Sequence, residues 1–211
     1  MMGWFDFVRA PSGTTVETLR LPIFPLNTVV FPGGLQPLKI FEQRYLDMAA
    51  ASLKDNSPFG ICLIASGHET GAAAEPHAVG TLATIASWEM EQLGILQITA
   101  RGGRRFRIIE TQVGAANLLE GTVELLADEP PVPLPTERRR LLPLLQRIVS
   151  DLGPERIAEP HRVDEAERVG YRITEVLPIQ NLAKQKLLEL DDPLARLEIL
   201  ETFLDQRKLL G

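Results

Sequence analysis

The sequence predicts an α+β protein, with a small antiparallel, barrel-like sheet over residues 19–127 followed by a helical bundle over 137–211. Three observations predict it. Short apolar runs of strand character recur from residue 21 to 126 with a single helix-like segment among them, a pattern of hairpins rather than of strand–helix–strand units. Prolines 130, 131, 133 and 135 then crowd the stretch from Asp128 to Thr136, where neither helix nor central strand is possible. Beyond that stretch, apolar residues fall at helical spacing. Charge also divides unevenly. Residues 1–135 hold 9 Lys/Arg and 14 Asp/Glu, and residues 136–211 hold 13 and 14, so the β-rich part is the more acidic. The boundaries are an extension over 1–18, a β-rich lobe over 19–127, a proline-rich linker over 128–136 and a helical lobe over 137–211.

Each element follows from local chemistry. Prolines 22, 25, 32 and 37 cut the segment from Leu21 to Tyr45 into short extended pieces, and Gly33-Gly34 supplies a turn. Gln36 to Phe41 reads as a strand. Glu42 to about Lys54 reads as a helix, with Tyr45, Met48, Ala49 and Ser52/Leu53 on one stripe and Asp55 to Pro58 ending it. Phe59 to Ala65 suits a fully buried strand, and Ser66 to Pro76 a loop. Val79 to Trp88 alternates, and Ile95 to Arg107 reads as two strands around a Gly102-Gly103 hairpin. Gly121 to Leu126 completes the strands. In the helical lobe, Leu141, Leu145, Ile148 and Leu152 share a face, and Pro143 either starts or bends that helix. Val163, Ala166, Val169/Gly170, Ile173 and Leu177 form the next stripe, ended by Pro178. Asn181 is placed as the N-cap of a helix to Leu190, and Asp192-Pro193 as N-cap and first residue of the last.

Composition narrows the function. A hydrophobic share of 45% with 24% charged residues belongs to an ordinary globular chain, and no apolar run reaches the roughly 18 residues of a membrane span. A formal charge of −6 argues against a general binder of nucleic acid or anionic membrane. One cysteine, Cys62, permits no internal disulfide, and with no secretory leader pattern at residues 1–9 the expected location is cytoplasmic.

The motifs resemble those of a known family. Leu21 to Tyr45 is similar to the opening of the amino-terminal, substrate-engaging domain of Lon proteases. Val79-Gly80-Thr81-Leu82-Ala83-Thr84-Ile85 resembles the strand that follows in that family, and Leu96 to Ile109 its hairpin. Leu177-Pro178-Ile179 and Lys186 to Leu197 are similar to its helical end, so the resemblance covers about residues 19–206. It implies a PUA-like barrel for the β-rich lobe and a role in holding polypeptide. The 211 residues contain no Gly-x-x-x-x-Gly-Lys-Ser/Thr phosphate loop and no Gly-x-Ser-x-Gly elbow. The expectation is therefore a stand-alone recognition domain: not an enzyme, without cofactor, and partnered by polypeptide substrates or by a protease or chaperone.

Candidate site residues follow from that role. Phe31 or Leu35, in a segment bounded by Gly and Pro, is expected to be partly exposed; Trp88 stands at a strand end beside Glu89 and Glu91. Rigid aromatics next to acidic groups suit apolar polypeptide segments. Arg44, with Glu42 and Asp47 at the start of the first helix, is either a solvated helix face or a polar rim to the same groove. Arg101, Arg104, Arg105 and Arg107 are the one dense basic cluster, the site for an alternative function of binding small anions or RNA, or otherwise a solvated sheet face over Phe106 and Ile108. No metal site is expected: His68 and His77 with Glu69 and Glu75 lack zinc spacing, and His161 stands alone. Cys62, within an apolar run, reads as a core residue, and no nucleophile–base pair supports a hydrolase. The aromatic Trp4-Phe5-Asp6-Phe7 precedes the resemblance and either packs back on the sheet or docks a partner or a second copy. A homo-oligomer is compatible with the sequence.

Overall fold

A computed structural model describes residues 17–128, 131–153, 157 and 162–210. The aromatic residues 4–7 and His161 lie outside the described residues. The chain forms two compact units: residues up to 32 with 36–127, and residues 33–35 with 128 onward.

The first unit is a closed ring of strands. Thr18–Leu26 (β1) pairs antiparallel with Leu119–Leu125 (β7), which pairs with Ile95–Val113 (β6), then Val79–Gln92 (β5), then Phe59–Ser66 (β3). The ring closes because β3 returns to β1, Ile23 opposite Gly60 and Leu26 opposite Leu63. That last pair is parallel, which qualifies the antiparallel expectation. A parallel neighbour requires a crossover, provided here by Leu35–Ile40 (β2) and the helix Gln43–Asp55 (α1). β2 pairs with β6, and the short Glu75–Pro76 (β4) with β3.

Inside the ring the pleat sorts residues by polarity. β7 alternates strictly, burying Leu119, Gly121, Val123 and Leu125, while β3 buries Phe59 to Leu63 without a break because it is covered on both faces. Helix α1 buries Arg44, Tyr45, Met48, Ala49 and Ser52, the stripe expected of a 3.6-residue period apart from Arg44. It stops where Asn56 turns left-handed (φ 47°) and donates its N–H to the Ser52 carbonyl.

The Gly102-Gly103 hairpin of the sequence reading is corrected. β6 runs unbroken through both glycines, and the turn lies at Leu93-Gly94, between the paired residues Gln92 and Ile95, with Gly94 at φ 81°. Gly102 serves close approach instead. A Cβ there would sit 2.2 Å from the carbonyl oxygen of Phe31, in the segment crossing over β6. Thr81 anchors that segment, its hydroxyl donating to the Val30 carbonyl at 2.7 Å.

The second unit packs Leu142–Leu152 (α2), Ala166–Val176 (α3), Asn181–Glu189 (α4) and Pro193–Gln206 (α5) around Leu141, Leu145, Val169, Ile173, Leu197, Leu200 and Leu204. Pro143 falls in the first turn of α2, after a 3₁₀ segment, so the helix starts there and does not bend. Val163 lies ahead of α3 and is exposed. Asn181 is a helical residue rather than the cap; Gln180 occupies that position without a side-chain hydrogen bond. Asp192 does cap α5, accepting the Leu194 N–H at 2.8 Å with Pro193 next. Arg196 is wholly buried, stacked on the Tyr171 ring at 4.1 Å and donating to the Leu187 and Leu190 carbonyls. Those bonds occupy carbonyls at the end of α4 that have no helical donor.

Candidate functional site

Two open grooves of mixed polar and apolar lining flank β2 on the first unit. On one side is a groove of about 430 Å³ walled by Pro37, Leu38 and Lys39 on β2 and by Ser87, Trp88 and Ile98 on the β5–β6 ribbon. On the other is a groove of about 360 Å³ between the same β2 residues, Phe24 and Leu26 of β1, and Phe41 and Tyr45. The floor of this second groove is rigid: the Phe24 and Tyr45 rings stack with centroids 4.0 Å apart. Its rim is of mixed charge. Glu69 accepts the Asn27 N–H, and Glu42 pairs with Arg44 at 3.0 Å and accepts the Gly71 N–H at 3.4 Å. Burial raises the Tyr45 hydroxyl pKa, which Arg44 partly opposes, so this floor stays neutral at physiological pH.

Two aromatics stand out from these grooves, Trp88 at 58% exposure and Phe41 at 56%. Met90, two residues on from Trp88 along β5, is also exposed, as is Leu93 at the ribbon's turn. Their side chains form an apolar tip on a strand pair otherwise carrying Ser87, Glu89 and Gln92 at its surface. Among the described residues β2 has one strand neighbour, β6. Pro37 lacks an N–H and Lys39 is charged and exposed, two features that discourage strand addition at an edge. Side-chain contact in the grooves, rather than backbone pairing, is the mode this geometry favours.

The sequence-derived candidates disperse. Trp88 is exposed as expected. Phe31 is corrected: it is fully buried, at 0% exposure, because the Val29–Phe31 segment folds under against Gly102 instead of standing out between its glycines and prolines. Leu35, at the start of β2, is half-buried. Arg44 is no rim residue either. It is buried against the Tyr45 ring at 4.5 Å and donates to the Asn117 carbonyl at 2.9 Å, tying α1 to a turn 73 residues away. The arginine cluster does not converge. Arg101 and Arg107 are exposed, but Arg105 is 5% exposed, and Arg104 is engaged by Glu17 at 2.8 Å and the Leu126 carbonyl. Arg107 faces Glu124 across the β6–β7 pair. The solvated-face reading fails at Arg105, which is buried beside the buried Phe106, and holds at Arg107 two residues on. Phe41 was not legible as a site residue, since a strand-end phenylalanine carries no sequence mark of exposure.

The polar loop residues hold structural partners: Glu75 accepts from Ser66 as Glu69 does from Asn27. Among the described residues no three His, Cys, Asp or Glu side chains gather in metal-binding range. Cys62 is buried, and burial pushes its thiol well above the usual range, which suits a core residue and not a nucleophile. No described helix is long and apolar enough to cross a membrane.

This arrangement has known counterparts. The family model of the ATP-dependent protease La (LON) substrate-binding domain matches residues 20–206. The chain belongs to the Lon substrate-binding domain family. Lon protease of Xanthomonas oryzae pv. oryzae is 30% identical over 198 residues, covering 90% of this chain and 23% of that protein. Lon protease 2 of Myxococcus xanthus is 30% identical over 111 residues, covering 52% of this chain and 13% of the relative. The chain thus spans about a quarter or less of the curated relatives it matches, and the match lies on the substrate-binding domain. Among solved structures, a Lon N-terminal domain protein from Xanthomonas campestris superposes with a TM-score of 0.72 at 33% identity, covering 87% of this chain and 97% of that one. The N-terminal domain of a Mycobacterium avium complex Lon protease shares the fold at a TM-score of 0.65 and 22% identity. Membership of this family supports a role in substrate recognition.

Proposed function

We propose that this Lon-type domain recognises exposed apolar segments of polypeptides, without catalysis of its own, at the paired grooves flanking β2. The observation that carries the reading is the placement of Trp88 and Phe41, two largely exposed aromatic rings on either side of one strand, in a domain whose family engages substrate. A rigid ring beside a preformed groove loses little entropy on contact, and the mixed charges of Lys39, Glu42 and Glu69 on the rim would select the polar residues that flank a segment's apolar core. Reversible holding of this kind serves an adaptor that presents polypeptides to a protease, or a holdase.

The test is fluorescence anisotropy of a labelled, permanently unfolded polypeptide titrated with the protein at low and high salt. Saturable binding that persists at high salt is expected. Trp88→Ala and Phe41→Ala should each weaken it about tenfold, the order of a groove-seated aromatic anchor. Binding abolished by salt, or indifferent to both substitutions, would remove this reading.

A further inference from the structure

A second, separate pocket lies on the first unit, away from the grooves beside β2. It is an apolar cavity of about 150 Å³ between the beginning of β1 and α1, walled by Leu19, Leu21, Met48, Ala51, Pro58 and Leu118. A cavity of this volume with such a lining accepts one benzene-sized ring. Its polar rim carries one group of each sign. Arg20 is exposed and paired to Glu120 at 2.7 Å, and Asp47 is exposed, receiving a hydrogen bond from Gln43.

We propose that this pocket receives an aromatic ring from the chain's own segment Trp4-Phe5-Asp6-Phe7. The described chain enters the sheet at Glu17, fastened by the Arg104 pair and by the Leu125 N–H to the Glu17 carbonyl, only two residues before the pocket wall at Leu19. Ten residues separate Phe7 from Glu17, and a chain of that length can reach up to roughly 33–36 Å, enough to bring the segment back to the pocket. A tether of that length also holds the ring at millimolar effective concentration, which favours the chain's own segment over a free ligand. Charge agrees with this occupant: Asp6 and Arg9 of the segment complement Arg20 and Asp47 on the rim. The segment thereby covers an apolar surface of α1 and fixes the N-terminal part of the chain beside the sheet.

Met48 lies in the pocket wall, and Met90 on the ribbon serves as an internal reference. With ¹³C-methyl methionine labelling of the full chain, the Met48 methyl resonance is expected to carry a ring-current displacement that vanishes in the triple variant W4S/F5S/F7S, with Met90 unmoved. Filling the pocket from its own wall with Ala51→Phe should shift the aromatic segment out, seen as faster tryptic cleavage after Arg9. An identical Met48 position in unsubstituted and triple-variant protein overturns the proposal, as does unchanged cleavage in A51F. A Met48 displacement that fades on dilution together with loss of a dimer by mass also overturns it, assigning the ring to a second copy.

Discussion

Phe31→Ala is expected to lower stability by about 3–5 kcal/mol, the cost of emptying a fully buried phenylalanine site, and to leave polypeptide affinity unchanged. The side chain is wholly enclosed, so its loss removes transfer free energy and leaves a cavity, while nothing at the β2 grooves is touched. Urea denaturation would show the midpoint falling with an unchanged slope. Anisotropy, measured where the variant is still folded, would show the affinity of the unsubstituted protein. A near-neutral stability change with weakened binding would restore Phe31 as a surface anchor. Gly102→Ala should act in the same direction, because the new methyl would lie 2.2 Å from the Phe31 carbonyl oxygen and 3.0 Å from the Val30 side chain. One of the two must move, and the Val30 carbonyl is held by Thr81. The pair of variants distinguishes burial of the ring from passage of its backbone over β6.

The contrast between these two positions shows what sequence conveys and what it withholds. Alternation in Val79–Trp88 and the stripe on α1 report the immediate surroundings of each residue, so strands and helices were legible from them, as was the Asp192-Pro193 start of α5. A glycine pair reports only that a side chain is unwelcome. At Gly102 the reason is a backbone crossing 71 positions away in sequence, which no local pattern encodes, and a turn was inferred instead. Phe31 errs by the same logic: flanking Pro and Gly describe the chain's bends, whereas burial depends on what lies over them. Arg44 looked like a surface charge at the start of a helix, but its partner is a carbonyl on a distant turn. Of the candidate site, Trp88 was readable as an aromatic among acidic residues at a strand end. Phe41 was not, because its groove is made by β1 and β2 meeting α1 in three dimensions.

Stability should fall by as much as about 3 kcal/mol as pH rises from 4.5 to above 7, through one carboxylate in the helical unit. Burial pushes Glu175 up to about 7 from an ordinary 4.5, against the opposing pull of Arg172 and then Lys184. The geometry explains why attraction does not win. Arg172 lies 2.7 Å from Glu175 Oε2, but among the described residues this buried oxygen accepts no hydrogen bond. Lys184 directs its ammonium to the Glu175 backbone carbonyl, and burial lowers its own pKa in turn. Because the folded-state pKa is the higher one, the native protein holds a proton that the unfolded chain has already released between pH 4.5 and 7. The favourable contribution is therefore complete below 4.5, declines across that window and is gone above 7. Glu175→Gln mimics the protonated form and should match the unsubstituted protein near pH 4.5, exceed it in stability at pH 8, and show a flatter dependence of stability on pH between them. Urea titrations of both proteins at intervals across this range would measure the difference directly. Parallel curves would mean that the carboxylate is ionised at no cost in the folded state, with Arg172 neutralising it fully.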